Sequence, residues 1–222
     1  MFPVFSSLKG DLASMKRIYV QSISMIAFFT FPMMALMFIL ANPLITVILG
    51  QKWLEVATYL QIFIVYSAVE TVGLTTSWIY KSIGQTKIML RWGLFSAAVM
   101  MSAAIIGLRW GAKGVAIAYV IAQIVVLWIP GWTIAFKFIN LTVFEALRKL
   151  LPISLNAIAM GAIGGTVYFF AKPHLPALVL IILVVVVSLP VYALLSSLTK
   201  QRGILIVGNF VKKRLRRFAK SA

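Results

Sequence analysis

Residues 42–80 read NPLITVILGQKWLEVATYLQIFIVYSAVETVGLTTSWIY. They join two very long apolar runs and carry a carboxylate, Glu70, inside the second. Ile18 to Gln51 is 34 residues without a charge, whereas one straight helix crosses about 30 Å of hydrocarbon in about 20. A break must fall inside it. Asn42-Pro43 is the best place, since proline lacks the N–H a continuing helix needs and fits the start of a new one, with Asn42 as its cap. The first span then ends near Ala41. Pro43 to Leu49 makes a short interfacial segment, Gly50 supplies a turn, and Gln51-Lys52-Trp53 puts amide, ammonium and indole at headgroup level. The second span, Val56 to Tyr80, carries Glu70 about fourteen residues in, or about 21 Å at helical rise, near or somewhat past the bilayer middle.

Hydrophobic residues make up 62% of the 222-residue chain and charged ones 11%, against roughly 25% charged in soluble domains. An integral membrane protein follows. Six spans can be drawn: Ile18 to Ala41, Val56 to Tyr80, Trp92 to Leu108, Val115 to Phe136, Leu150 to Ala171 and Leu175 to Leu198. The net charge of +17 would suggest nucleic acid in a soluble protein, but here it alternates between connections. Seventeen Lys and Arg lie in the first, third, fifth and last segments outside the spans, and four lie in the others. The positive-inside rule therefore puts both termini in the cytoplasm.

The expected fold is all-α and integral to the membrane, with six transmembrane helices in antiparallel hairpins because the connections are short. Residues 1–17 form a cytoplasmic lead-in, 18–198 the bundle, and 199–222 a basic tail. No cleavable signal pattern is visible at the start. Pro32 and Pro190 should bend their spans, and Ala157, Gly161 and Gly165 should allow close helix approach. Trp53, Trp78, Trp92, Trp110 and Trp132 sit near span ends, where amphipathic rings prefer to lie. In the tail, Ile204, Val207, Val211, Leu215 and Phe218 recur at helical spacing. Lys212, Lys213, Arg214, Arg216 and Arg217 fill the other face, the pattern of an interfacial helix binding anionic lipid. A disordered, topology-fixing tail is the alternative, and nucleic acid is disfavoured because no aromatics interleave the charges.

Enzyme signatures are nearly absent. The four acids, Asp11, Glu55, Glu70 and Glu145, are spread over four segments, and the single histidine, His174, lies in a turn without a second metal ligand. Without cysteine, disulfides and thiolate metal sites are excluded. No catalytic residue, metal or cofactor is expected. Glu70 is the residue that calls for an explanation, because a mid-membrane charge costs at least about 2.5–3.5 kcal/mol on insertion scales. It shares a small and polar helix face with Tyr66, Ser67 and Gly73. It could bind a proton or cation, line a hydrated cavity, or tie two helices together as a hydrogen-bonded acid. Gln61, Gln123 and Asn156 are the other notable amides within spans, suited to interhelical hydrogen bonding or cavity lining.

Several segments together resemble the C-terminal half of a bacterial polysaccharide exporter or lipid-linked oligosaccharide flippase, of the multidrug, oligosaccharidyl-lipid and polysaccharide export superfamily. The carrying pieces are Phe2-Pro3-Val4-Phe5-Ser6, Lys16-Arg17, Phe31-Pro32, Asn42-Pro43 through Gly50 and Trp53, Ser82-Ile83-Gly84-Gln85-Thr86-Lys87, and Gly111-Ala112-Lys113-Gly114-Val115-Ala116. The resemblance implies a multi-pass protein of the bacterial inner membrane that moves a polyprenyl-pyrophosphate-linked glycan by alternating access. It also implies a two-lobed fold about twice this length, so that the chain is expected to be either a truncated or internally started reading frame or one part of a split transporter with the N-terminal half as a separate partner chain. On that reading Glu70, Ser67, Gln123, Asn156 and Arg91 are the pathway candidates. A multidrug cation antiporter of the same superfamily and a non-transporting assembly subunit are the alternatives.

Overall fold

The computed structural model describes residues 11–201 and 203, and every regular element among them is helical. The Phe2 to Ser6 motif and the tail residues Lys212, Lys213, Arg214, Arg216 and Arg217 lie outside the described residues. Helix α1 spans Leu12–Ile39. Asp11 caps it, its Oδ1 accepting the Ser14 N–H at 3.0 Å. The hydrogen bonds from Ser14 hold the Asp11 carboxyl below its ordinary value.

The expected break comes two residues early, at Leu40, and Asn42 is exposed and caps nothing. Proline chemistry explains the shift. The ring of Pro43 would clash with the carbonyl four residues back, that of Ile39, so α1 stops there. Pro43 then sits buried in the first turn of α2 (Ala41–Ile48), where its missing N–H had no intrahelical partner to lose. Gly50, at φ +90°, turns the chain into a single exposed turn, Gln51–Trp53.

The second span is not one helix. It divides into α3 (Glu55–Gly73) and α4 (Thr76–Ser82). The run Thr75-Thr76-Ser77 causes the division: its hydroxyls donate back to the carbonyls of Val72, Gly73 and Leu74 at 2.6, 2.7 and 2.9 Å. Such back-bonding competes with the helix ladder and bends it. Next come α5 (Thr86–Gly107) and a left-handed Gly111 at φ +69°. A second rod follows, built from α6 (Gly111–Ile121), a π turn (Ala122–Trp128) and α7 (Ile129–Lys137). Last among the described elements come α8 (Val143–Ala171) and α9 (Ala177–Leu198). Among the described residues five stretches are long and apolar enough to cross a membrane, and the 52-residue Thr86–Lys137 stretch folds back at Gly111 to give two rods. A multi-pass, all-α membrane protein is the result.

Helix α1 is the hub, packing on α3 on one side and most extensively on α8, which in turn carries α9. One buried cluster joins Tyr19 and Ile23 of α1 to Ile79 of α4, Phe136 of α7 and Ile153 of α8. A second joins α1, α8 and α9 through Phe28, Met160 and Val184. At one end Lys16 pairs with Glu145 at 2.6 Å and donates to the Asn140 carbonyl at 2.8 Å, fastening the starts of α1 and α8. Both charged groups are partly exposed, so solvent screening leaves the pair contributing little.

Two packing expectations change. The close approach on α8 is made by Gly164, whose added Cβ would lie 2.5 Å from Ser188 Oγ on α9. Ala157 is buried, but Gly161 meets α1 at ordinary contact distance and Gly165 faces open space. Nor are all consecutive spans neighbours: α3 and α5 pack little on each other, while both pack on the rod of α6 and its π turn.

Pro32 and Tyr192 show how the bundle keeps backbone groups satisfied in lipid. Pro32 cannot donate to the Phe28 carbonyl, and the Tyr192 hydroxyl of α9 donates to it instead, at 2.8 Å. Tyr192→Phe should therefore destabilise the bundle by about 1 kcal/mol, within the range of interhelical hydrogen bonds in membranes. Unfolding in mixed detergent micelles measures this, and an unchanged midpoint would mean that the carbonyl finds another donor.

Candidate functional site

Because α3 and α5 diverge while both rest on the following rod, a cleft opens among the three. Its volume is about 210 Å³, smaller than the roughly 300–1,000 Å³ of drug-sized ligand pockets. Tyr66, Glu70 and Gly73 of α3 and Thr76 of α4 line one wall. Trp92, Ser96 and Met100 of α5 line the second, and Gln123, Trp128, Gly131 and Trp132 the third.

Glu70 and Gln123 meet here. The Gln123 amide Nε2 donates to Glu70 Oε2, joining the second span to the fourth. Helical geometry brings this about: Glu70 lies one turn before the break at Leu74, and Gln123 lies in the π turn, whose wider winding changes the register of the residues that follow. Trp132 is 3% exposed and its indole Nε1 has no hydrogen-bond partner, nor has that of Trp128. These two rings pack edge to face at 5.2 Å. A Cβ on Gly73 would lie 3.5 Å from Glu70 Oε2 and 3.8 Å from Trp132 Nε1, so the carboxyl and the buried indole nitrogen both lie beside Gly73. Across from them the Trp92 ring lies 3.0–3.2 Å from where a Gly131 Cβ would stand, so a larger residue there would push the ring by a few tenths of an ångström.

The other sequence candidates lie elsewhere. Asn156 is buried on α8 and donates to Thr199 Oγ1 at 2.8 Å, tying α8 to the end of α9. The Ser67 carbonyl accepts the Thr71 hydroxyl at 2.6 Å, but Ser67 is not among the cleft walls. Arg91 is exposed at the start of α5, one residue before Trp92. Gln61 donates to the Phe38 carbonyl at 2.9 Å and so ties α3 to α1. Trp53 and Trp110 are exposed at turns, as boundary residues would be, whereas Trp92 and Trp132 are cleft walls. Position near a span end could not separate these two groups. Spacing could have done so: Trp128 and Trp132 are four apart, beside Gly131, on the rod that carries Gln123.

These features define a polytopic helical membrane protein with a small, aromatic-walled cleft built around one carboxylate. A family described as polysaccharide biosynthesis protein matches residues 1–58. Over 126 residues the chain is 21% identical to the lipopolysaccharide biosynthesis protein WzxC of Escherichia coli (strain K12). That match covers 56% of this chain and 26% of the relative, so it spans about a quarter of the curated relative's length. No solved structure matches the chain. The likeness to a polysaccharide family that Asn42-Pro43 and its companion motifs imply is thereby borne out. The family match takes in α1, α2 and the turn at Trp53 and stops before Glu70.

Proposed function

We propose that this chain is one side of a polysaccharide transporter of the bacterial inner membrane. It moves a lipid-linked oligosaccharide from the inner to the outer leaflet without covalent chemistry. The cleft among α3, α5 and the rod of α6 and α7 carries this reading: a carboxylate and an amide joined by a hydrogen bond stand among aromatic rings inside a mostly apolar bundle. Polar groups at that depth are costly and mark pathways. In this scheme both termini are cytoplasmic, the tail holds anionic lipid, and further helices complete the passage. The bundle rocks between inward-open and outward-open states, and the break at Leu74-Thr75 lets α3 tilt against α4.

The test is export of a labelled lipid-linked glycan in cells making this chain with and without the companion helices. Export should require both. Membrane-inserted protein that gives no export with the companion present would leave the assembly-subunit reading in its place. Reporter fusions add a separate check, since the connection from Lys81 to Arg91 should report as cytoplasmic.

A further inference from the structure

We propose that Tyr19 of α1 is a positioning residue for the cleft: by donating to Thr75 it pins the break between α3 and α4 and so fixes where α3 carries Glu70 against Gln123. The inference rests on the transport reading only for treating the cleft as part of the route. At the break the backbone changes its winding. The Leu74 N–H reaches the Glu70 carbonyl four residues back at 2.9 Å, but Thr75, Ser77 and Trp78 reach only three back, to Val72, Leu74 and Thr75, at 3.2, 3.4 and 3.0 Å. Such tight winding inside a long helix marks a hinge. Its two sides are held unequally. Helix α4 buries Ile79, Tyr80 and Ser82 among its 7 residues and packs on α7, whereas α3 buries Ala57, Ile64 and Val72 among 19. The anchored side is α4, and α3 is the arm that swings.

Tyr19 reaches the break from outside both helices. Its hydroxyl lies 2.7 Å from Thr75 Oγ1, and both residues are buried. Thr75 has one hydroxyl proton, which goes to the Val72 carbonyl at 2.6 Å, so Tyr19 is the donor of the pair. A directed chain of hydrogen bonds thus runs from the hub helix through Thr75 into the last turn of α3. The Tyr19 ring is itself held, edge to face at 5.6 Å on Phe136 of α7. Gly73 and Thr76, beside the pinned residues, line the cleft, and Glu70 lies two residues before Val72. A shift at Val72 is therefore carried to the carboxyl. Tyr19→Phe keeps the ring and leaves the Thr75 bond to Val72 in place, so it releases the pin while sparing the packing.

The chain has no cysteine, so spin labels on introduced cysteines at Phe63 of α3 and Leu155 of α8, both exposed, report the arm against the body in the whole chain in lipid nanodiscs. Phe63 lies about 18 Å from Thr75 at helical rise, so a tilt of about 10° moves it about 3 Å. The native chain should give one narrow distance. Tyr19→Phe and Thr75→Val should shift or broaden it by about that amount, whereas Thr75→Ser, which keeps the hydroxyl, should give the native distribution. Tyr192→Phe removes a different hydroxyl bond to α1, the one to the Phe28 carbonyl, and should leave the distance alone.

Three outcomes would overturn the assignment: a native distance in Tyr19→Phe, an equal change in Tyr192→Phe, or a change in Thr75→Ser as large as in Thr75→Val. Should Tyr19→Phe fail to insert, the two Thr75 variants read the same bond from its other end. A released arm in Tyr19→Phe, with no export by the native chain and its companion helices, would sink the transport reading and leave the pin standing. Export by a protein whose arm ignores Tyr19→Phe would sink the pin alone.

Discussion

Alanine at Gly107 or Gly114 should prise apart the hairpin of α5 and α6 and destabilise the bundle by roughly 1–3 kcal/mol, as overpacking does. The two glycines face each other across the turn at Gly111. A Cβ on Gly107 would lie 2.6 Å from Val115 Cα and 2.7 Å from the Gly114 carbonyl oxygen. A Cβ on Gly114 would run into the Gly107 carbonyl and lie 2.6 Å from Trp110 Cβ. The opposing atoms are mostly backbone, so no side chain can rotate out of the way and the helices themselves must move. Gly93 is the control: it lies on α5 with nothing within 4 Å of an added Cβ. Gly93→Ala should be neutral or stabilising by up to about 1 kcal/mol, because alanine is the better helix former. The chain has no cysteine, so spin labels on introduced cysteines at Ser102 and Ile117 would report the gap between helices directly. Gly107→Ala should widen that distance and Gly93→Ala should leave it. Equal behaviour of the two variants would mean that the close approach is not what holds the hairpin.

How much of this was legible in the chain depends on whether the signal was local. The apolar runs and the Gly50 and Gly111 turns are local features, and the rods fall where hydropathy puts them. Pro43 marked the first break but not its register, because the clash acts four residues upstream, at Ile39. The division of the second span was written in Thr75-Thr76-Ser77, yet hydropathy counts such a run as neutral membrane sequence. Only the back-bonds to Val72, Gly73 and Leu74 reveal its effect. Candidate residues followed the same rule. Glu70 stood out by its cost alone. Its partner Gln123, 53 positions away, was one of two amides among the pathway candidates, and tertiary packing separated it from Asn156. The tryptophans were misjudged most, because a ring near a span end belongs equally to an interface or to an inner wall, and burial distinguishes the two.

The Glu70–Gln123 pair offers the second large effect, because it can be read as a structural tie or as part of a passage, and the two predict different double mutants. Gln123→Leu leaves a half-buried acid without its amide donor, and Glu70→Leu leaves a buried amide without its acceptor. Each single change should cost about 1–3 kcal/mol, since the orphaned partner keeps its desolvation penalty. Replacing both with leucine removes both polar groups, so the double variant should regain most of the stability lost by either single one. A purely structural tie would then regain function as well. If the pair lines the route, glycan export should stay abolished in the double variant although its unfolding midpoint has recovered. Glu70→Gln sharpens the contrast, because it keeps the shape and a hydrogen bond to Gln123 while removing the charge. Export in the complete transporter should fall and lose part of its pH dependence. Wild-type export by Glu70→Gln at every pH, together with restored export in the double leucine variant, would reduce the pair to a helix tie and take Glu70 out of the mechanism.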